Sequence, residues 1–167
     1  MQSIFGFTRK KIRRLVVRIK YDTIVHVDRS VLLVYPDWVK EVVDHEVETD
    51  GPSEYDLSES ELWLHDVQKN GWPNARLIYE HLKKNGMLCS CAGLADGIEI
   101  QKKGVVIFRE LFGEKSIVFL WRSVVLSHGG CLVVPYLHAS SNEVLIGWHN
   151  LDWLVGETNL ALCFSGR

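Results

Sequence analysis

The sequence has no apolar run long enough for a membrane-spanning helix, which needs about 18 apolar residues. The apolar stretch after the first basic residues is only about five residues long, too short for the core of a secretory signal. Only four of the 167 residues are cysteines, too few for a disulfide framework in a chain of this length. These absences predict a cytoplasmic protein with free thiols and no membrane contact.

The chain also lacks the motifs of common enzymes. It has no G-x-S-x-G nucleophile elbow, no phosphate-binding P-loop and no G-x-G-x-x-G dinucleotide fingerprint. The segment 89–91 is a C-x-C pair rather than the C-x₂-C of a zinc knuckle. We therefore predict no cofactor and no metal, although a folded site built from Cys89, Cys91, Cys131 and His81 stays open at this point.

Charge is unevenly distributed, although the net charge is only −2. Residues 1–20 hold seven bases and no acids, whereas residues 21–62 hold twelve acids and two bases. Such a basic arm either folds onto the acidic segment or binds an anionic partner. The near-neutral total excludes a protein that binds nucleic acid over its whole surface.

The N-terminal third is predicted to form a basic arm and a β-hairpin. Residues 1–13 are the arm, and a single α+β domain follows over 14–167. Leu15, Val17, Ile19 and Tyr21 alternate with Arg14, Val16, Arg18 and Lys20, which is typical of a half-buried strand. The β-rich run 23–35 supplies the second strand of the hairpin.

The middle of the chain, about residues 58–113, is predicted to be helical. Ser58 and Glu61 have the spacing of a capping box that would begin a helix. Asn74 is a candidate N-cap for a second helix, which Gly86 would end. Residues 94–112 form one apolar stripe, which Gly104 can divide into two helices.

The last part, about residues 116–165, is predicted to be a C-terminal antiparallel β-meander. Four strand-like runs are separated by short segments of turn residues, and short connections favour antiparallel neighbours. Pro135 inside one run predicts an edge strand or a bulge. The candidate core residues, all apolar, are Val17, Ile19, Leu62, Ile78, Leu82, Ile98, Val105, Phe108, Phe119, Val133, Leu145 and Leu162.

Several segments in one order carry a resemblance to a known group. They include "GPSEYDL", "ELWLHDVQKNG", "GLADGIEIQKKG" and "WHNLDW". Over about residues 35–164 the chain resembles a group of short, uncharacterised proteins predicted from genomes of uncultured bacteria. The resemblance implies a cytoplasmic bacterial protein, and it transfers no catalytic residue to this sequence.

Three functional hypotheses follow from these patterns. The first is a small non-enzymatic binding module that acts through a protein partner. The second is a nucleic-acid-binding protein. In it, the basic side chains of residues 9–20 would contact phosphates, and aromatic side chains of the sheet would stack on nucleobases. The third is a hydrolase-like enzyme around Glu61 and His65, four residues apart on a helix. The candidate binding residues are Arg9, Lys10, Lys11, Arg13, Arg14, Tyr136, Trp148 and Trp153.

The segment "EVLIGWHNLDWLVG" is the most distinctive of the candidates. Its pattern favours a corner in which Trp148 closes a strand, Asn150 and Asp152 form the turn, and Trp153 folds back over the sheet. Exposure of either indole beside Tyr136 would instead indicate a binding surface.

Overall fold

The computed structural model describes residues 9–165, with side chains from residue 13 onward. Over this range the α-helices are α1 (Arg9–Lys20), α2 (His45–Glu48), α3 (Asp66–Asn70), α4 (Ala75–Lys84), α5 (Leu94–Lys103) and α6 (Val105–Phe112). The strands are β1 (Ile24–His26), β2 (Val39–Val42), β3 (Glu54–Asp56), β4 (Glu61–Trp63), β5 (Ile117–Phe119), β6 (Val125–Ser127), β7 (Leu132–Ala139), β8 (Val144–Asn150) and β9 (Asn159–Cys163). Short 3₁₀ turns occupy Leu57–Glu59, Leu88–Ser90 and Trp121–Ser123.

Most strands belong to one mixed sheet. Its order is β2-β6-β7-β5-β9-β4, and β8 pairs with β7 off this path. The pairing of β5 with β9 is parallel, and the other pairings in this sheet are antiparallel. The fold is therefore α+β as predicted. The predicted meander is wrong, because β9 returns to lie between β5 and the distant strand β4.

Pro135 lies in an interior strand rather than at the sheet edge. One side of β7 pairs with β6 at Val133 and then with β5 from Tyr136 onward. Pro135 lies in the gap between these two pairings, where neither strand needs its missing N–H. The prediction of an edge strand failed because two short strands share one side of β7.

The predicted N-terminal hairpin is replaced by helix α1. Val17 is buried, whereas Ile19 is 78% exposed. Arg14 and Arg18 lie four residues apart on one helical face, and both reach the region of the 3₁₀ turn Leu57–Glu59. Arg14 Nη1 donates a hydrogen bond to Ser60 O at 2.6 Å. Arg18 Nη1 donates one to Glu59 Oε1 at 2.8 Å. The arm boundary predicted at residue 13 falls inside this helix, and residues 1–8 lie outside the described residues.

The second strand of the predicted hairpin is also mostly absent. Within 23–35 only β1 is a strand, and it pairs with β3, whereas residues 28–35 have no helix or strand. The predicted partner strand, which would contain Leu15, Val17 and Ile19, is unavailable because these residues belong to α1.

The predicted helix after Ser58 is wrong, because Glu61 belongs to β4, which pairs with β9. The helix begins later, at α3. His65 is its N-cap: its Nδ1 accepts from Val67 N at 3.2 Å, and Gln68 Oε1 accepts from His65 N at 3.2 Å.

The later helices follow the sequence pattern. Helix α4 begins after Asn74 as predicted, and Gly104, with φ +91°, separates α5 from α6.

The Asn74 cap yields a stability prediction. Asn74 Oδ1 accepts from Leu77 N at 3.1 Å. Asn74→Ala should therefore lower the free energy of unfolding by about 1 kcal/mol, because it leaves a helix N–H without its partner. Asn74→Asp, which keeps an acceptor, should stay close to wild type. Urea unfolding of the three proteins tests this, and equal losses for both variants would show that the cap contributes nothing.

The sheet separates two hydrophobic clusters. One contains Phe108 of α6 and Leu137 of β7, and the other contains Ile78 of α4 and Val134 of β7. Val134 and Leu137 are three apart on a strand, so they face opposite sides. Among the predicted core residues, Ile19 alone is strongly exposed. In the described part of the chain, no helix combines the length and apolarity needed to cross a bilayer.

Candidate functional site

Two paired segments, residues 72–76 and 151–156, form what we call the tryptophan corner. Their backbones are joined by Ala75 N to Trp153 O at 2.8 Å, Arg76 N to Leu151 O at 2.7 Å and Val155 N to Pro73 O at 2.8 Å. Three large apolar side chains on these hydrogen-bonded segments face solvent: Trp72 is 66% exposed, Trp153 60% and Leu154 61%.

Trp72 is held against the backbone of the opposite segment. Its six-membered ring lies where a side chain at Gly156 would project. Asn74 lies opposite Leu154 in an antiparallel bridge, so Trp72 and Leu154 share one face of the corner. A glycine at 156 is therefore required for the indole to occupy this place.

Trp153 turns towards the other face, where it meets His149. The two rings are 5.5 Å apart and perpendicular, and His149 also contacts Phe119 at 5.3 Å. Burial lowers the pKa of His149 below its usual value, against a smaller opposing effect of a hydrogen bond with the Trp153 backbone. The imidazole is therefore neutral at pH 7, and its ring packs edge-on against the exposed indole.

The structure separates the three predicted aromatic residues. In the pairing of β7 with β8, Tyr136 is opposite Gly147 and Pro135 is opposite Trp148, so Tyr136 and Trp148 lie on opposite faces of the sheet. Trp148 packs against Trp38 at 5.0 Å. Contrary to the prediction, Trp148 does not close the strand, because β8 continues through His149 to Asn150, which pairs with Val133. Trp153 is exposed instead of covering the sheet, and it connects to Tyr136 through His149.

Two basic residues of α1 are paired with the chain's own acids, and a third donates to a backbone carbonyl. Arg13 is 3.5 Å from Glu110, and Arg18 is 3.2 Å from Asp56. Arg14, predicted to contact phosphates, is half-buried, and burial lowers its pKa. The side chains of Arg9, Lys10 and Lys11 lie outside the described residues. Of the two readings of the basic arm, the described contacts favour folding onto the acidic segment.

The pair Glu61 and His65 does not form the predicted helical site. Glu61 is in β4, and His65 caps α3. The His65 ring lies 4.4 Å from His81, and burial is the main cause that lowers its pKa. His81 in turn stacks on Trp63 at 5.8 Å. The local geometry is that of a helix cap beside aromatic packing, without the carboxylate partner that the hydrolase hypothesis required.

The cysteines are brought together in a different combination from the one considered for a metal. Cys91 lies opposite Cys163 in an antiparallel bridge. The hydrogen bond with Cys163, together with burial, raises the pKa of Cys91, so its thiol is protonated at neutral pH. In the part of the chain that the structure describes, no group of three or more histidine, cysteine or acidic residues is arranged to hold a metal. Cys131 is exposed and lies directly before β7.

Sequence reasoning missed a buried charge cluster next to the sheet. Arg122 and Asp96 are both fully buried, and their Nη2 and Oδ2 atoms are 2.9 Å apart. Arg29 Nη2 adds a second ion pair to Asp96 Oδ1 at 2.6 Å. A single arginine within the apolar run "VFLWRSVV" was the available signal, because charged residues are almost never fully buried unless they are paired.

Comparison with other proteins found no relative of this chain. No protein-family model matches the chain, and no curated protein or solved structure is significantly similar to it.

Proposed function

We propose that this chain is a small non-enzymatic binding module that engages a protein partner through the tryptophan corner. The supporting observation is the exposure of Trp72, Trp153 and Leu154 on two hydrogen-bonded segments. Tryptophan is enriched among the residues that dominate binding energy at protein interfaces. We further propose a cytoplasmic setting, which the four free cysteines support; a bacterial origin depends on the resemblance alone.

The tryptophan corner is preorganised for binding. Its backbone hydrogen bonds and the seat of Trp72 on Gly156 hold the aromatic side chains in place. Less conformational entropy is then lost on association than for a flexible loop. Arg76 and Asp152, 2.8 Å apart, provide a neutral polar rim beside the indoles.

The charge of this surface favours a protein over a nucleic acid. Arg76 is neutralised by Asp152, so the exposed tryptophans lack the basic surroundings that a phosphate backbone needs. Arg13 and Arg18 are occupied by the chain's own acids. Because large apolar side chains occupy both faces of the corner, the partner we expect has an apolar groove that receives it.

The test is affinity capture from native lysate at physiological salt. The double variant Trp72→Ala, Trp153→Ala should weaken capture of a stoichiometric partner at least about tenfold, because interface tryptophans often contribute 2 kcal/mol or more. The matched control, Ile19→Ala with Val106→Ala, removes exposed apolar side chains elsewhere and should bind normally. Equal capture by all three proteins would refute the proposal, and so would binding only of nucleic acid that salt abolishes.

A further inference from the structure

Two cysteines lie directly opposite each other in the interior of the fold. Strand β9 pairs with β5 as far as Ala161, and beyond that point the short segment 90–92 takes the place of β5 beside β9. Cys163 pairs there with Cys91, and it pairs with Glu61 of β4 on its other side. The two thiols come from distant parts of the sequence, and the fold of the sheet brings them together.

The hydrogen bonds around this bridge place the two cysteine side chains close together. Ala92 N donates to Leu162 O at 2.8 Å. Phe164 N donates to Ser90 O, also at 2.8 Å. These bonds flank the cysteines and make them a non-hydrogen-bonded antiparallel pair, in which the Cα atoms are typically about 4.5 Å apart. Because disulfides span Cα separations of about 4.4 to 6.8 Å, a bond between the two sulfur atoms needs little movement of the backbone.

The other two thiols have different surroundings. Cys89 is only partly buried, and its Sγ donates to Gly86 O at 3.1 Å. Cys131 is exposed, one residue before β7 begins. In the described part of the chain, which includes all four cysteines, only Cys91 and Cys163 are opposite each other in a strand pairing.

We propose that Cys91 and Cys163 are a reversible disulfide site, which a small-molecule disulfide such as oxidised glutathione closes and small thiols reopen. Disulfides are rare in a reducing cytosol, and those that form there are usually transient and redox-sensing. The bond joins β9 to the segment between α4 and α5. It closes a loop of roughly 70 residues, which restricts the unfolded chain and therefore stabilises the fold under oxidising conditions.

Cys163 is the thiol that reacts first with oxidised glutathione. It is 8% exposed, whereas Cys91 is fully buried. The hydrogen bond with Cys91 lowers the pKa of Cys163, so the thiolate forms more readily at this sulfur. Because the thiolate is the nucleophile, Cys163 attacks one sulfur of oxidised glutathione. This step forms a mixed disulfide and releases one glutathione thiolate, which takes up the proton that Cys163 lost.

Cys91 completes the exchange. The hydrogen bond with Cys163, which is the main cause that raises the pKa of Cys91, is lost once Cys163 is in the mixed disulfide. Cys91 then attacks the Cys163 sulfur, and its proton passes to the second glutathione as that thiolate leaves. Two protein thiols are thereby oxidised to one disulfide, and oxidised glutathione is reduced to two molecules of glutathione.

The test uses two double variants of the full chain. Cys89→Ser with Cys131→Ser retains the proposed pair, and neither of these two positions is fully buried. Cys91→Ala with Cys163→Ala is the matched control, which retains the other two thiols. Each protein is incubated with oxidised glutathione and then unfolded, and its remaining free thiols are counted by mass spectrometry after labelling with a maleimide.

The variant that retains Cys91 and Cys163 should lose both free thiols without keeping a bound glutathione, and dithiothreitol should restore both. Its oxidised form should also unfold at a higher urea concentration than its reduced form. The control should form no internal bond. Two free thiols remaining in the first variant, a reaction that stops at a glutathione adduct, or an unchanged urea midpoint would each overturn the proposal, whether or not the control folds. An internal bond formed equally well in a folded control would also overturn it.

Discussion

Replacing Asp96 with alanine is expected to destabilise the protein by about 3–5 kcal/mol, the cost of removing one partner from a buried ion pair. Asp96 is fully buried and binds Arg29 and Arg122 at 2.6 and 2.9 Å. It also accepts from Gly93 N at 2.8 Å, at the start of α5. The variant leaves the guanidinium of Arg122 buried with its charge uncompensated.

Urea unfolding measures this loss, with an exposed ion pair as the control. Arg18→Ala breaks the pairs with Asp56 and Glu59, but the Arg18 side chain is 53% exposed. Arg18→Ala should lower the free energy of unfolding by less than about 1 kcal/mol. If Asp96→Ala and Arg18→Ala cost the same, the buried cluster does not stabilise the fold as its geometry indicates.

Glu48→Gln is expected to stabilise the protein at pH 8 relative to the wild type, and much less at pH 5. The folded-state pKa of Glu48, about 7, lies above the ordinary value of 4.5. Between these values the unfolded chain releases a proton that the folded chain retains, so stability falls as pH rises and the full loss is reached above pH 7. The loss is at most about 3 kcal/mol, reduced by any solvent that reaches the carboxyl group.

Chemical unfolding of the wild type and of Glu48→Gln at pH 5, 6, 7 and 8 gives the difference between their free energies of unfolding at each pH. The titration of other groups is common to both proteins and cancels in this difference. Glu46→Gln is the control, since Glu46 is exposed on the same helix. Because Glu46 is exposed, its replacement should change the free energy of unfolding by less than about 0.5 kcal/mol at each pH. A Glu48→Gln difference that does not change with pH would show that Glu48 ionises normally in the folded protein.

Local sequence signals were sufficient where local interactions determine the structure. Asn74 caps α4 through a bond to a residue three positions away, and Gly104 separates α5 from α6 through its own backbone angle. Helix α1 and strand β4 depend on distant partners instead. Arg14 binds Ser60, and Leu62 pairs with Leu162, so neither element could be derived from its own periodicity.

The candidate sites were only partly predictable for a related reason. The sequence singled out the segment around Trp153 but not the exposure of its indole, and Trp72 becomes part of the same surface only because its segment pairs with residues 151–156. Likewise, Arg29, Glu48 and Asp96 are far apart in sequence and meet through tertiary packing. Residue type alone does not reveal which charges will be buried together.

Site-specific photo-crosslinking in cells that naturally contain the protein tests the tryptophan corner most directly. A benzophenone amino acid at position 154, on the exposed side chain beside Trp72, should give one discrete adduct with a protein partner. The same residue at position 106, equally open to solvent on α6, should give none. No adduct at position 154, or adducts of the same pattern at both positions, would contradict the assignment of the corner as the binding surface.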